Sequence, residues 1–168
     1  MADKSIVFID TEVGTNDKRI HDAGACRFDG AKLHSSKAAE FSAFIDGSEY
    51  ICGHNIVNHD IKFIQPWIGK EVKSKVIDTL YLSPLLFPQK PYHRLVKDDK
   101  LQVDEVNNPL NDSLRAMELF SDELSAFSKL PFQMKRIYCS LLASKPEFAG
   151  FFDYVDFIPY PYGIENRT

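Results

Sequence analysis

The sequence lacks the marks of several protein classes. It has three cysteines in 168 residues, Cys26, Cys52 and Cys139, an odd number placed far apart. That excludes a disulfide framework and offers no paired spacing for a structural zinc, so reduced, buried thiols are expected. No apolar run is long enough to span a bilayer, and a strand-like segment begins almost at Met1, leaving no room for a signal peptide. The expectation is a cytoplasmic protein with no membrane contact. Excess positive charge is missing too: 20 Lys and Arg against 24 Asp and Glu leave a net charge of -4, which argues against a general nucleic-acid coat. It does not exclude an enzyme that grips a few nucleotides, because an acidic metal site contributes negative charge itself. There is no internal repeat or low-complexity tract. With 44% hydrophobic and 26% charged residues, the composition is that of an ordinary globular protein. The length suits one domain that buries about two thirds of its unfolded surface.

What is present begins with "SIVFIDTEVG". The run Ile6 to Ile9 is β-branched and aromatic and is closed by Gly14, so it reads as a strand buried on both faces. Side chains alternate along a strand, which puts Ile6, Phe8, Asp10 and Glu12 on one face. Two carboxylates side by side repel each other, and the pair asks for a metal or a basic partner. After a turn at Asn16 to Lys18, "RIHDAGACRFDGAKLHS" reads as a strand, an Asp29-Gly30 turn and a return. "AAEFSAFIDG" is expected as a further strand ending at Gly47. Ile61, Ile64 and Ile68 have helical spacing, with Pro66 limiting that helix or marking its start. "KVIDTLYLSPLLF" reads as a short strand running into a short helix, with Asp78 capping it.

The clearest helix is "NPLNDSLRAMELFSDELSAF". Asn108 is a good N-cap and Pro109 fits the first helical position, while Leu110, Leu114, Met117, Leu124 and Phe127 fall near one stripe. A last helix over 132–143 groups Ile137, Tyr138, Leu141 and Leu142. Strands followed by alternating helix and strand, then helices, predict an α/β mixed sheet flanked by helices. Residues 1–145 are expected to form the domain. Residues 146–168, aromatic and proline-rich, are expected as a tail that packs on it or leads into a further domain.

Two more acids complete a pattern. Asp60 follows the turn "GHNIVNHD", and Asp112 stands in the first turn of the capped helix. Four carboxylates from one strand end and two helix starts suit a pair of hard divalent cations about 4 Å apart. Lys90, Arg94, Lys97 and Lys100 form the one notable basic cluster, with Tyr92 and His93 interleaved and Asp98 and Asp99 diluting it. Such a cluster suits phosphate contacts and stacking on a single strand, or simply a solvated helix face. His59, His21, Trp67 and Phe63 read as surface or core residues rather than ligands.

"FIDTEVG", "GHNIVNHDIKFI" and "NNPLNDSLRAMELF" resemble, in order and spacing, the three motifs of the DnaQ-like 3'-5' exonucleases, the DEDD group. The resemblance spans roughly residues 5 to 128. It implies an RNase H-like mixed five-stranded sheet flanked by helices, two Mg²⁺ or Mn²⁺ ions, and the hydrolysis of phosphodiester bonds at 3' ends of a single strand, DNA favoured. Carried over by position, Asp10, Glu12, Asp60 and Asp112 match the metal-binding acids, and His54, Asn55, Lys90, Arg94 and Lys97 are candidate substrate contacts. "KPYHRLVKDDKL" and the late helices further resemble exonuclease domains found ahead of RecQ-type DNA helicases, which implies a covalently linked helicase.

Two departures stand out. The histidine-type branch, DEDDh, carries its general base as His-x4-Asp, and that position is Asn107, which cannot take a proton from water. The Tyr-x3-Asp alternative falls on Asn108. His93 is the substitute base that the sequence offers. The family's helical insertion before the Gly-His-Asn motif also reads as deleted, since Ile45 is followed so closely by Gly53.

Overall fold

In the computed structural model, residues 4–95 and 108–157 are described. Asn107, Lys97, Lys100, Asp98 and Asp99 lie outside them, as do residues 158–168 of the expected tail. The strands are β1 (Ile6–Val13), β2 (Ile20–Cys26), β3 (Lys32–Ser35), β4 (Tyr50–Gly53) and β5 (Lys75–Asp78). The helices are α1 (Ala38–Ile45), α2 (Ile61–Ile68), α3 (Thr79–Leu86), α4 (Pro109–Lys129), α5 (Phe132–Leu142) and α6 (Pro146–Tyr154). The strands form one five-stranded sheet in the order β3-β2-β1-β4-β5. β1 runs antiparallel to β2 and parallel to β4, β2 pairs antiparallel with β3, and β4 pairs parallel with β5. This is the mixed five-stranded, helix-flanked arrangement that the sequence implied.

Alternation along β1 builds both cores. Ile6 and Phe8 join Tyr50, Cys52, Ile77, Phe120, Phe127 and Phe151 on the α4 and α6 side. Val7 and Ile9 join Ala23, Ile51, Phe41 and Ile64 on the α1 and α2 side. Each such fully buried side chain contributes roughly 1.5–3 kcal/mol of transfer free energy. The three cysteines are buried and free, as expected. Among the described residues no helix is long and apolar enough to cross a membrane.

One expected strand is a helix. Residues 38–45 form α1, because Phe41, Phe44 and Ile45 follow i, i+3, i+4 spacing and Ala38 and Ala39 favour helix. Phe41 and Ile45 are buried, with Phe41 against Trp67. The neighbouring strand is β4, a four-residue run with every residue buried, too short to show alternation. A helix therefore does stand between β3 and the Gly-His-Asn turn, and the deletion read from the sequence is corrected: α1 occupies that place.

The helices otherwise follow their signals but rotate. The inward face of α4 carries Ser113, Ala116, Phe120, Glu123 and Phe127, with Leu114, Met117 and Leu124 on its flanks. On α5, Cys139 faces the core while Ile137 and Leu141 are 49% and 64% exposed. α6 docks on the β5 edge through Gly150, where an added Cβ would sit 2.2 Å from the Val76 carbonyl oxygen. Asp153 fixes it by accepting from Tyr50 Oη at 2.5 Å and Lys75 Nζ at 2.6 Å, while Lys4 Nζ donates to the Asp153 carbonyl at 2.7 Å.

Glu123 is the costly member of this core. It is 0% exposed, and neither carboxylate oxygen has a hydrogen-bond partner among the described residues. Burial first, then the charge of Asp78, pushes its carboxyl up to about 9, with Lys90 offsetting some of the rise. The folded protein thus keeps this proton while the unfolded chain releases it above the ordinary value of 4.5. Stability therefore falls as pH rises from 4.5 towards 9. Glu123→Gln is expected to be more stable than the parent by on the order of a few kcal/mol at pH 8, and little changed near pH 4.5. Denaturant unfolding of both proteins across that range tests this; parallel pH profiles would refute it.

Candidate metal centre

The site lies at the carboxyl ends of the three parallel strands β1, β4 and β5, where the starts of α2, α3 and α4 converge. Asp10 and Glu12 project from β1 on the Phe8 face, towards α4. The register between β1 and β2 slips between Glu12 and Val13, an irregularity that re-aims the strand end beside the acids. Asp112 arrives from α4, whose start is fixed locally. Asn108 Oδ1 accepts from the amides of Leu110 at 3.0 Å and Asn111 at 3.4 Å, and Pro109 opens the helix.

Gly24 on β2 lets that helix approach. A Cβ there would lie 2.1 Å from the Leu110 amide nitrogen and 2.2 Å from the Pro109 carbonyl carbon. No side chain larger than hydrogen fits under the first turn of α4. The result is that one carboxylate oxygen each from Asp10, Glu12 and Asp112 lies within 4.8 Å of the other two. Asp112 also faces Arg115 Nη1 at 3.4 Å. Three hard oxygen donors at this spacing fit a divalent cation of the Mg²⁺, Mn²⁺ or Ca²⁺ kind.

Asp60 is placed differently. The same alternation turns Thr11 to the opposite face, and there Asp60 Oδ1 accepts from the Thr11 amide at 3.0 Å and its hydroxyl at 2.5 Å. Asp60 is buried at the start of α2 and does not share the close cluster of the other three acids. It ties α2 to the residue between Asp10 and Glu12. His59 Nδ1 stands 3.7 Å from the same oxygen, and its imidazole is held above the usual range chiefly by Asp60.

The Gly-His-Asn turn is clamped from β5. Asp78 is 0% exposed and accepts from the amides of Asn55 at 2.8 Å, Val57 at 3.1 Å and Leu80 at 2.9 Å. Burial nevertheless raises its pKa, outweighing those three bonds. Asn55 takes a left-handed φ of 64°, a conformation that asparagine tolerates better than most residues. His54 Nδ1 meets Thr79 Oγ1 at 2.8 Å, while its buried Nε2 has no side-chain partner among the described residues. Burial drives this imidazole down to about 4, with the His93 main chain and the Asp112 charge offsetting only a fraction. It is neutral at physiological pH.

The remaining candidates lie along the chain after α3. His93 Nδ1 is 3.0 Å from Ser83 Oγ, so one ring nitrogen is engaged by α3. Lys90 is exposed with its ammonium 4.2 Å from the Phe87 ring centroid, and Arg94 is exposed. Asp78 is the helix cap that the sequence predicts, but its hold on the turn and the pairing of Thr11 with Asp60 are not foreseen there. The β1 alternation contains the second signal: the residue between two outward acids must point inward.

The fold is shared with solved structures. Brucella melitensis NrnC bound to pGG matches with a TM-score of 0.63 and 15% identity over 99% of this chain and 92% of that one. Brucella melitensis NrnC in a second structure gives 0.60 and 14% over 96% and 92%. A structure described as the apo form of the nuclease gives 0.61 and 16% over 98% and 91%. At these identities the likeness is one of fold. No protein-family model matches the chain, and no curated protein matches its sequence.

Because Gly24 sets the seat of α4, Gly24→Ala is expected to lift its first turn and pull Asp112 away from β1. Mn²⁺ affinity by calorimetry should fall at least about tenfold, and stability by roughly 1–3 kcal/mol, the usual cost of overpacking. A variant that binds Mn²⁺ as the parent does would show that this approach does not position Asp112.

Proposed function

We propose that this chain is a divalent-metal-dependent nuclease that hydrolyses phosphodiester bonds at the 3' end of a single strand, with DNA favoured. The observation that carries the reading is the cluster of Asp10, Glu12 and Asp112, three carboxylates brought within 4.8 Å by two elements whose positions are fixed independently of that cluster. Support comes from the order of the three acidic motifs and from the shared fold with NrnC, which is itself described bound to pGG.

In this reading Asp10, Glu12 and Asp112 would hold two divalent ions, Mg²⁺ or Mn²⁺, with Asp60 completing the set through the carboxylate oxygen that Thr11 does not engage. When bound, such ions lower the pKa of a water and neutralise charge on the reacting phosphate. The chain's own contribution is to preset the donors. Asp60 holds Thr11 and thereby the spacing of Asp10 and Glu12, and Asp78 holds the turn that brings His54 and Asn55 alongside. His54, neutral and half-buried, offers a hydrogen bond rather than a charge to a substrate. A linked helicase domain belongs to the same reading through the resemblance of "KPYHRLVKDDKL".

Two observations favour a second reading. Asn107 stands where the histidine-type motif has its base, and Nδ1 of His93 is engaged by Ser83. A catalytically feeble exonuclease-fold module that binds nucleic acid or a partner protein would carry these departures without penalty.

The two readings separate on an end-labelled single strand with Mn²⁺. Progressive shortening from the 3' end is expected, abolished by a chelator and lowered at least about 10²-fold by Asp10→Asn. A folded parent that leaves every strand intact would sink the nuclease reading and leave the binding module.

A further inference from the structure

The segment 91–95, between α3 and the next described helix, is fastened to α3 by a side chain. His93 turns inward, half-buried, and Nδ1 meets Ser83 Oγ at 3.0 Å. His54 meets Thr79 Oγ1 at 2.8 Å. Thr79 and Ser83 are both buried and stand four residues apart on α3, so the two histidines sit along one helix face, a turn apart. Segment 91–95 therefore runs along α3 beside the Gly-His-Asn turn.

With His93 turned in, its neighbours turn out. Tyr92 is 83% exposed, the most exposed large apolar side chain among the described residues, and Arg94 is exposed on the other side of His93. Lys90 precedes them, also exposed. An aromatic ring left in water between two cations, on a segment pinned to α3 beside the Gly-His-Asn turn, has the composition of a single-strand binding surface: the ring stacks on a base while the cations meet flanking phosphates. A protein interface core is depleted of charge, and here the ring stands between the cations Lys90 and Arg94.

We propose that Tyr92 is a stacking platform for a nucleobase of a single strand whose phosphates are met by Lys90 and Arg94. The proposal rests on the nuclease reading for the identity of the ligand and extends it: recognition by stacking makes the substrate a base-bearing single strand of any sequence, and disfavours a duplex end whose bases are already stacked.

The test is binding rather than cleavage, in the full chain carrying Asp10→Asn so that the strand stays intact. Fluorescence anisotropy compares a labelled oligodeoxyadenylate with an abasic strand of the same length and charge. Adding Tyr92→Ala is expected to weaken binding of the base-bearing strand about 5- to 150-fold. The abasic strand should change less than about twofold, and Tyr92→Phe should restore tight binding because the ring suffices. Thermal unfolding of each variant controls for folding. Equal losses on both strands, no loss on either, a Tyr92→Phe variant as weak as Tyr92→Ala, or no binding of the base-bearing strand would each overturn the proposal. Failure of the nuclease reading is separate: it is intact strands after incubation of the parent with Mn²⁺, which leaves the anisotropy comparison readable.

Discussion

The mutual repulsion of Asp10, Glu12 and Asp112 is the constraint around which the fold is arranged. Carboxylate oxygens within 4.8 Å of one another oppose approach by roughly 3–4 kcal/mol per ionised pair at an effective dielectric of about 20. Left to themselves, side chains on flexible backbone would swing apart. Here two of the acids sit on the central strand of the sheet, flanked on both sides by other strands and buried on both faces up to the site. The third sits in the first turn of a 21-residue helix whose start is capped by Asn108 and wedged against Gly24. The hydrophobic core therefore supplies the free energy that holds like charges together. A divalent cation would reverse the sign of the interaction in place.

The sheet divides the labour between its two faces. On one side β1 presents Asp10 and Glu12 to α4, and on the other it presents Thr11 to Asp60. Because one oxygen of Asp60 accepts from both the amide and the hydroxyl of Thr11, α2 constrains the strand at the residue between the two acids. Asp78 has the corresponding role at the end of β5, through three amides of the turn and of α3. Asp60 thus acts on the strand that carries two of the clustered acids, and Asp78 on the turn that carries His54 and Asn55.

Much of this is legible in the sequence, and the reasons for the misses are physical. β1, α2, α3, α4 and α5 carry local signals: alternation, caps, a proline at the first helical position, periodic apolar residues. Residues 38–45 read as a strand because their apolar density hides the i, i+3, i+4 spacing of Phe41, Phe44 and Ile45, and α1 then looks like a missing helix. β4 is buried throughout, so its four residues show no alternation to read. The buried face of α4 is hard to place because Glu123 lies on it, and no pattern argument puts a carboxyl in a core. For the site, the strand alternation yields Asp10 and Glu12, but Gly24 as the seat of α4 depends on a packing distance that no spacing encodes.

Glu123 shows where the fold gives up stability. Among the buried polar and charged residues, Thr11, Asp60, Asp78, Thr79, Ser83, Asp112, Ser113 and Glu123 belong to the elements that surround the carboxyl ends of β1, β4 and β5. Most have partners that position something: Thr79 and Ser83 hold two histidines, Asp78 holds the turn, Asp60 holds β1. Glu123 has none among the described residues, yet its proton is retained, because burial disfavours its charged form and the charge of Asp78 opposes a second charge nearby. A neutral Glu123 thereby spares Asp78, whose own carboxyl is already raised by burial, from competition with an ionised neighbour. Local cost concentrated around the end of the sheet that carries the acid cluster is the pattern expected when a site, rather than the core, dictates the residues. Away from that end of the sheet, the layer packed by α1 and α2 is apolar, with Phe41, Ile45, Ile51, Ile56 and Ile64 all buried.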